Sequence, residues 1–166
     1  MRFPKRNKIA RKCDLEKNIR YPQIKHFVPK CYWYSLGSAW YDFWFVQEGM
    51  EKVKTQVVCE IRIDESNFIR MGEKKGKGKV LIVDGKEDVI KLTKKYISKS
   101  SGYYLLDFTK IGKMYGGIEF RNYKRHREFL NDPKYLWYLM IDASGGCVWD
   151  TSLIDVTQKG KLKDFV

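Results

Sequence analysis

The sequence predicts a single α+β domain, built on a mixed and mostly antiparallel sheet with two or three short helices. The chain has 166 residues, a length that suits one domain better than two. Hydrophobic residues make up 43% and aromatic residues 15%, enough to bury a core despite a net charge of +13. Strand-like segments outnumber helical ones along the chain. Together these features exclude a disordered basic chain.

The N-terminal residues 1–8 predict a basic arm. Residues 1–12 contain six Lys/Arg and no acid, and a first strand is expected to begin at Ile9. A solvated arm, a polyanion-binding tail and a nuclear localisation signal are the alternatives for this stretch. No apolar run follows it or approaches the ~20 residues that span a bilayer, so we expect neither secretion nor a membrane span.

The aromatic segment 32–45 predicts a strand followed by a helix. Aromatic residues favour half-buried strand positions, which assigns residues 32–35 to a strand. Gly37 supplies a turn, and Ser38 is a suitable N-cap for the helix. The helix would carry three aromatic residues on one face, which favours a place in the core: Trp40, Phe43 and Trp44.

Residues 53–64 alternate between apolar and mostly polar side chains, which predicts an antiparallel strand with one buried face. A cationic loop at 73–79, a short buried strand at 80–83 and a turn at Asp84-Gly85 follow. The remaining predicted elements are helices at 88–97 and 107–114, strands at 116–120, 135–141 and 147–149, and a basic loop at 121–128. The domain would then cover residues 9–155, with a C-terminal tail at 156–166.

Several chemistries are disfavoured by the residues. The four cysteines form no CxxC pair, so we expect reduced thiols rather than zinc ligands or a disulfide scaffold. The glycine-rich loop 72–79 lacks the spacing and the Ser/Thr of a phosphate-binding Walker loop. Two histidines offer no well-placed catalytic base, and three aspartates form no recognisable metal set: Asp142, Asp150 and Asp155. We therefore expect no metal.

The net charge predicts a polyanionic partner, either nucleic acid or an acidic protein surface. The cations assigned to this role lie in the arm and in two loops: Arg2, Lys5, Arg6, Lys8, Lys74, Lys75, Lys77, Lys79, Arg121, Lys124, Arg125 and Arg127. Tyr123 lies among the last of them, as in surfaces that stack exposed bases. An ordinary solvated loop is the alternative at 121–128.

Three segments in this order and spacing carry a resemblance to known proteins. They are FVPKCYWYS at 27–35 with Trp40 shortly after, YGGIEF at 115–120, and the stretch from Trp137-Tyr138 to DASGGCVW at 142–149. The set resembles a family of small proteins from phages, large DNA viruses and bacteria. That family is similar in turn to divergent ADP-ribosyltransferases, and the resemblance covers roughly residues 9–150.

The resemblance implies an ADP-ribosyltransferase-like fold and a site for nicotinamide adenine dinucleotide (NAD). Arg11 would be the first-strand cation, Ser35 the second-strand hydroxyl and Glu119 the catalytic carboxylate. Tyr34 would stack on nicotinamide, with Trp33 and Trp40 also lining the cofactor site. An arginine can pair with the pyrophosphate, and a carboxylate can stabilise the ribose as nicotinamide leaves. We expect Arg11, Ser35 and Glu119 to share one concave pocket.

The chain departs from the superfamily pattern at two positions. Arginine-modifying members carry a second acid two residues before the catalytic Glu, where this chain has Gly117, and Cys31 replaces a frequent glycine. The alternative for Glu119 is a solvent-facing residue on a half-exposed strand, and for Ser35 a strand-end hydroxyl.

Two functions follow as hypotheses. The first is an ADP-ribosyltransferase that uses NAD to modify a protein or nucleic-acid acceptor. The second is a non-enzymatic basic protein on the same scaffold, which binds nucleic acid or forms a minor part of a virion. Either predicts a place in the cytoplasm or nucleus of a host, or in a virus particle.

Overall fold

The computed structural model describes residues 8–10, 15–26, 29–39, 57–73, 77–100 and 102–161. They form a single mixed α+β domain, as the sequence predicts. The helices are α1 (Lys86–Tyr96), α2 (Phe108–Met114) and α3 (Leu136–Leu139). The strands are β1 (Lys8–Ala10), β2 (Lys25–His26), β3 (Tyr32–Leu36), β4 (Val57–Arg62), β5 (Phe68–Arg70), β6 (Val80–Asp84), β7 (Ile97–Ser100), β8 (Tyr103–Asp107), β9 (Gly117–Arg121), β10 (Gly145–Val148) and β11 (Asp155–Lys161).

Within the described residues, eight strands form one large sheet in the order β11-β4-β1-β3-β10-β9-β6-β5. Strand β6 runs parallel to both of its neighbours, β9 and β5, whereas the other neighbouring pairs are antiparallel. Strands β2, β8 and β7 form a smaller antiparallel sheet. The prediction of a mixed, mostly antiparallel sheet is therefore confirmed.

The large sheet buries residues on both faces. One face packs against the helices, and this helix-side cluster includes Leu81 and Ile118 from the strands and Leu92 from α1. The opposite face holds a separate cluster around Tyr34 and Val148. Because side chains alternate along a strand, neighbouring residues of β3 and β9 contribute to different clusters. This alternation decides which predicted site residues can meet.

Helix α1 follows the sequence pattern closely. Gly85 adopts a φ of 79°, which a residue with a side chain rarely adopts, and turns the chain from β6 into the helix. Acidic residues lie in the first turn and lysines in the last, which complements the helix dipole. The buried residues recur at helical spacing on one face: Val89, Leu92, Thr93 and Tyr96. The predicted helices at 88–97 and 107–114 are both present, within two residues at each end.

The predicted strand at 135–141 is wrong, because this segment is helical. Asp132 accepts a hydrogen bond from the backbone N–H of Lys134 at 3.0 Å, and Pro133 occupies the first helical turn. Both features start a helix, and α3 continues from there. A short apolar run suits a strand and a buried helical turn equally well, so the flanking cap decides between them. Trp137 lies within α3 and donates its indole N–H to Thr93 at 3.2 Å.

Strand β11 occupies most of the segment for which the sequence predicts a C-terminal tail. It pairs antiparallel with β4 from Asp155 to Lys161, with an irregularity at Gln158 to Gly160. Strands β2, β5, β7 and β8 are also additions to the predicted elements. Lys8, the last residue of the predicted arm at 1–8, lies in β1, and residues 1–7 are outside the described residues. So are the part of the predicted helix that contains Trp40, Phe43 and Trp44, and residues 53–56 of the predicted strand. No helix within the described ranges is long and apolar enough to cross a membrane.

Candidate functional site

Glu119 lies at the centre of β9 and is fully buried, with 0% of its surface exposed. Its Oε2 accepts a hydrogen bond from the Tyr34 hydroxyl at 2.7 Å, and its Oε1 accepts one from Nε of Arg121 at 2.6 Å. Nζ of Lys8 lies 3.7 Å from Oε2. The alternative of a solvent-facing Glu119 is therefore wrong. The carboxylate is instead the centre of a buried polar cluster, which we call the Glu119 cluster: Lys8, Tyr34, Glu119 and Arg121.

Sheet register explains how residues far apart in the chain meet. Gly146 of β10 pairs with Tyr34 on one side and with Glu119 on the other. The Tyr34 side chain crosses over Gly146 to reach the carboxylate, and a Cβ on Gly146 would collide with the Tyr34 hydroxyl and ring. Glycine is thus required between the two residues.

The sheet is strongly curled around the Glu119 cluster. Lys8 lies on β1 and Phe68 on β5, five strand positions apart, which would be about 24 Å in a flat sheet. Yet Nζ of Lys8 lies 4.9 Å from the centre of the Phe68 ring, and the Arg121 guanidinium lies 5.3 Å from it. Strands β1 and β5 therefore bend toward each other, and the Glu119 cluster occupies the concave face between them.

A hollow of about 540 Å³ adjoins the cluster at Lys8, the one cluster member that lines it. The other charged residues of its lining are Arg62 and three acids: Glu60, Asp64 and Asp155. Its volume is in the range of pockets that bind small molecules. Lys8 pairs across β1 and β4 with Ile61, which also lines the hollow. The side chain of Lys8 is 11% exposed and that of Arg121 30% exposed, so Arg121 is the member of the cluster nearest to solvent.

Charge in the cluster is unbalanced. Two cations, Lys8 and Arg121, face one carboxylate, and the nearby Asp84 is already paired with Arg70 at 3.8 Å and bonded by Asn122 at 2.8 Å. A buried excess of positive charge favours an anionic ligand, because charges interact more strongly away from water. The arrangement can therefore hold an anion beside a positioned carboxylate.

Tyr34 keeps its proton in this environment. Burial raises the pKa of Tyr34 well above its usual range, and the neighbouring Glu119 carboxylate raises it further. The hydroxyl therefore acts as a hydrogen-bond donor that fixes one oxygen of Glu119. Because the Tyr34 ring is fully buried, its contact is with the carboxylate rather than with an open surface where nicotinamide could stack.

The predicted trio of Arg11, Ser35 and Glu119 is not assembled as expected. Ser35 pairs with Gly145 and thus lies on the sheet face opposite to Glu119, where its Oγ donates to the Gly37 carbonyl at 3.2 Å. This is the strand-end hydroxyl of the alternative interpretation. Trp33 also lies on the helix side and packs against that cluster. Arg11 and Trp40 are outside the described residues.

Two cations that meet Glu119 are predicted from the sequence only as nucleic-acid-binding residues. Arg121 follows Glu119 by two positions on the same strand, and a period of two places both side chains on one face. This signal is present in the sequence. Lys8 offers no comparable signal, because its approach to Glu119 depends on the order of the strands and on the curl of the sheet.

The other predicted nucleic-acid-binding residues differ in whether they are paired with a carboxylate. Arg125 pairs with Asp142 at 3.3 Å, while Lys124 and Arg127 are exposed and have no carboxylate at ion-pair distance in the described part of the chain. Lys77 and Lys79 precede β6. Five of the predicted cations lie outside the described residues: Arg2, Lys5, Arg6, Lys74 and Lys75.

The cysteines offer no metal or nucleophilic site among the residues that the structure describes. Cys31 and Cys147 are free thiols, whereas Cys59 is disulfide-bonded, so the expectation of four reduced thiols is wrong for Cys59. Burial raises the pKa of the Cys31 thiol, and Cys147 raises it further, which leaves Cys31 a weak nucleophile. No group of three or more His, Cys, Asp or Glu side chains in the described ranges could hold a metal ion.

Comparisons of the chain with protein-family models, with curated proteins and with solved structures find no match. The chemistry of the Glu119 cluster is therefore the basis for any functional proposal.

Proposed function

We propose that the chain is an ADP-ribosyltransferase-like enzyme that uses NAD, with Glu119 as its catalytic carboxylate. The observation that carries the proposal is the Glu119 cluster itself. A cation from β1, a hydroxyl from β3 and a carboxylate from β9 meet on one concave face beside a hollow of about 540 Å³. The strand order is the one that the resemblance implies, but of its three residues only Glu119 takes part, with Lys8 standing in for Arg11 and Tyr34 for Ser35.

The charges of the Glu119 cluster suit NAD as a substrate. NAD carries a pyrophosphate, and the cluster carries one more cation than carboxylate. Arg121 can bind a phosphate oxygen, and its partial exposure lets it turn from Glu119 toward an incoming anion. Lys8 lines the hollow, where it and Arg62 face the carboxylates of Glu60, Asp64 and Asp155. Tyr34 holds the carboxylate in place by donating to Oε2.

The reaction would proceed by substitution at the ribose carbon that bears nicotinamide. The bond from this carbon to the nicotinamide nitrogen breaks, and nicotinamide leaves with the electron pair. When Arg121 turns toward the phosphate, it frees Oε1 of Glu119, which then accepts a hydrogen bond from a ribose hydroxyl and stabilises the positive charge that develops on the sugar. A nucleophile of the acceptor, or water, then bonds to the same carbon and loses its proton.

The decisive experiment compares the parent protein with Glu119→Gln in an assay of nicotinamide release from NAD. Gln keeps the size of the side chain and removes the charge, so we expect a loss of about 100-fold or more in rate. The matched control is Asp107→Asn, which removes the charge of a buried carboxylate that pairs with Lys110 and does not line the hollow. Circular dichroism and thermal unfolding establish that both variants fold. Equal rates for Glu119→Gln and parent, or no NAD cleavage by the folded parent, would contradict the proposal.

A second candidate is a non-enzymatic nucleic-acid-binding protein or a minor virion component. The observation in its favour is the net charge of +13, together with exposed cations such as Lys124 and Arg127 that meet no carboxylate in the described ranges. This candidate predicts binding to a polyanion without any change in NAD.

A further inference from the structure

We propose that a basic groove on the helix side of the sheet binds the phosphate backbone of single-stranded nucleic acid. The groove has a volume of about 330 Å³ and is bordered by three cations and no acidic side chain: Arg20, Lys77 and Lys113. Its remaining walls include Tyr21, Gln23 and Thr109. Of these residues, the sequence assigns only Lys77 to nucleic-acid binding. We call this feature the Arg20 groove.

The Arg20 groove is separate from the Glu119 cluster. Trp149 forms part of its floor, and Trp149 packs in the helix-side cluster, whereas Glu119 faces the concave side of the sheet. The inference therefore goes beyond the proposed transferase activity and does not depend on it.

Arg20 is held in place by the surrounding backbone. Its guanidinium donates to the Gly112 carbonyl at 2.6 Å and to the Tyr115 carbonyl at 3.0 Å, and it pairs with Asp150 at 3.0 Å. These contacts fix the wall of the groove and also occupy Asp150, the acid nearest to Arg20. Asp150 therefore does little to neutralise the two lysines across the groove.

Because Arg20 is already paired, Lys77 and Lys113 are the two cations of the groove that can attract an anion. No carboxylate of the described residues lies within ion-pair distance of either lysine. The Gln23 amide donates to the carbonyls of Tyr21 and Lys30, and its Oε1 is buried without a hydrogen-bond partner among the described residues. The Thr109 hydroxyl adds a polar group at the rim. Cations without nearby acids, together with neutral polar groups, match the oxygen-rich surface of a phosphate backbone.

The size and lining of the groove favour a single strand. Its volume is at the lower end of small-molecule pockets, which suits one nucleotide at a time rather than a duplex. Tyr21 is half-buried: it lines the groove beside the cations and also packs against the helix-side cluster. Single-stranded nucleic acids bind to basic grooves in which aromatic rings stack on bases. The net charge of +13 would draw the strand toward the protein from a distance.

The test measures fluorescence anisotropy of a labelled single-stranded oligonucleotide of about 20 nucleotides, longer than one binding site of this kind. The variant is Lys77→Ala with Lys113→Ala, and the matched control is Lys94→Ala with Lys134→Ala. All four lysines are at the protein surface, and the control removes the same charge from positions outside the groove. Arg20 is not replaced, because its backbone contacts stabilise the fold.

We expect the groove variant to bind at least tenfold more weakly at moderate salt, and the control variant to bind nearly as well as the parent. The slope of log affinity against log salt should become shallower by about 1.4, because each lysine that neutralises a phosphate of a single strand contributes about 0.7 to that slope. Equal weakening in both variants would overturn the inference, because it would show a diffuse charge effect. Displacement of the oligonucleotide by polyglutamate as readily as by unlabelled oligonucleotide would also overturn it. The rate of NAD cleavage should be unchanged in the groove variant, which separates this inference from the proposed transferase function.

Discussion

At the scale of single residues, Glu119 is the more deeply buried of two buried carboxylates in the described ranges, the other being Asp107. A buried charge is costly unless it is paired and hydrogen-bonded, and Glu119 has a tyrosine, an arginine and a lysine as partners. A resemblance singled out Glu119 in the sequence, and its catalytic role stays a prediction, whereas its burial was not predicted. Its partners could not be predicted in full. Ser35 and Tyr34 are neighbours on one strand, so their side chains point to opposite faces of the sheet. The sequence does not say which of the two faces the concave side, because a shift of one position in strand register exchanges them.

The Tyr34 hydroxyl should contribute measurably to stability. We expect Tyr34→Phe to lower the free energy of unfolding by about 1–3 kcal/mol at neutral pH, because a buried carboxylate oxygen is left without its donor. The matched control is Tyr104→Phe, which keeps the ring beside Lys99 and should change stability much less. Denaturant unfolding of the three proteins measures both effects. A cost for Tyr34→Phe no larger than that of the control would contradict the prediction.

The pH dependence of the same variant follows from the raised pKa of Tyr34. A group whose pKa is raised on folding stabilises the folded state fully below its unfolded pKa, which is about 10 for tyrosine. Above that pH the unfolded tyrosine ionises while the folded one retains its proton, and this contribution is lost. We therefore expect the stability gap between parent and Tyr34→Phe to be constant below about pH 10 and to narrow above it. A gap that widens with rising pH would contradict this sign.

At the scale of elements, local sequence patterns are sufficient to predict the secondary structure of some segments and not of others. Helix α1 has charges and spacing that agree, so the predicted range 88–97 lies within two residues of the observed 86–96 at each end. The helical turn at 136–139 has a strand-like apolar run, and the prediction of a strand is wrong there because the cap at Asp132 lies outside that run. Strand β11 carries polar residues and a glycine, and it is a strand because β4 offers it an open edge.

Strand β11 therefore allows an element-scale test. Deleting residues from Asp155 onward would leave β4 as the edge of the sheet and remove a ladder of backbone hydrogen bonds. Since each bond contributes about 1 kcal/mol, we expect unfolding to become easier by at least about 2 kcal/mol. The control ends the chain after Lys161 and keeps β11 intact. Thermal and denaturant unfolding measure the stability of both truncated proteins. Equal stabilities would mean that residues 155–161 behave as a tail rather than as part of the sheet.

At the scale of the whole molecule, the net charge of +13 is distributed unevenly. Part of it lies inside the Glu119 cluster, where Lys8 and Arg121 exceed the carboxylate by one charge. Another part borders the Arg20 groove, whereas surface pairs such as Lys17 with Asp155 at 3.0 Å add nothing to the net charge. The sequence could predict the sum and its sign. It could not predict this division, because the burial of Lys8 depends on the curl of the sheet and the groove depends on loops that meet only in the fold.

An excess of like charge should oppose folding, since compaction brings the cations closer together. We expect the midpoint of thermal unfolding at pH 7 to rise as NaCl increases from about 10 mM to about 150 mM, because the screening length falls from about 30 Å to about 8 Å. Exposed ion pairs weaken under the same screening, but each contributes only about 0–1 kcal/mol, so relief of repulsion should dominate. Replacing NaCl by sodium acetate at equal concentration separates screening from binding of one particular anion. A midpoint that falls on adding salt would mean that paired charges such as Arg20 with Asp150 outweigh the repulsion.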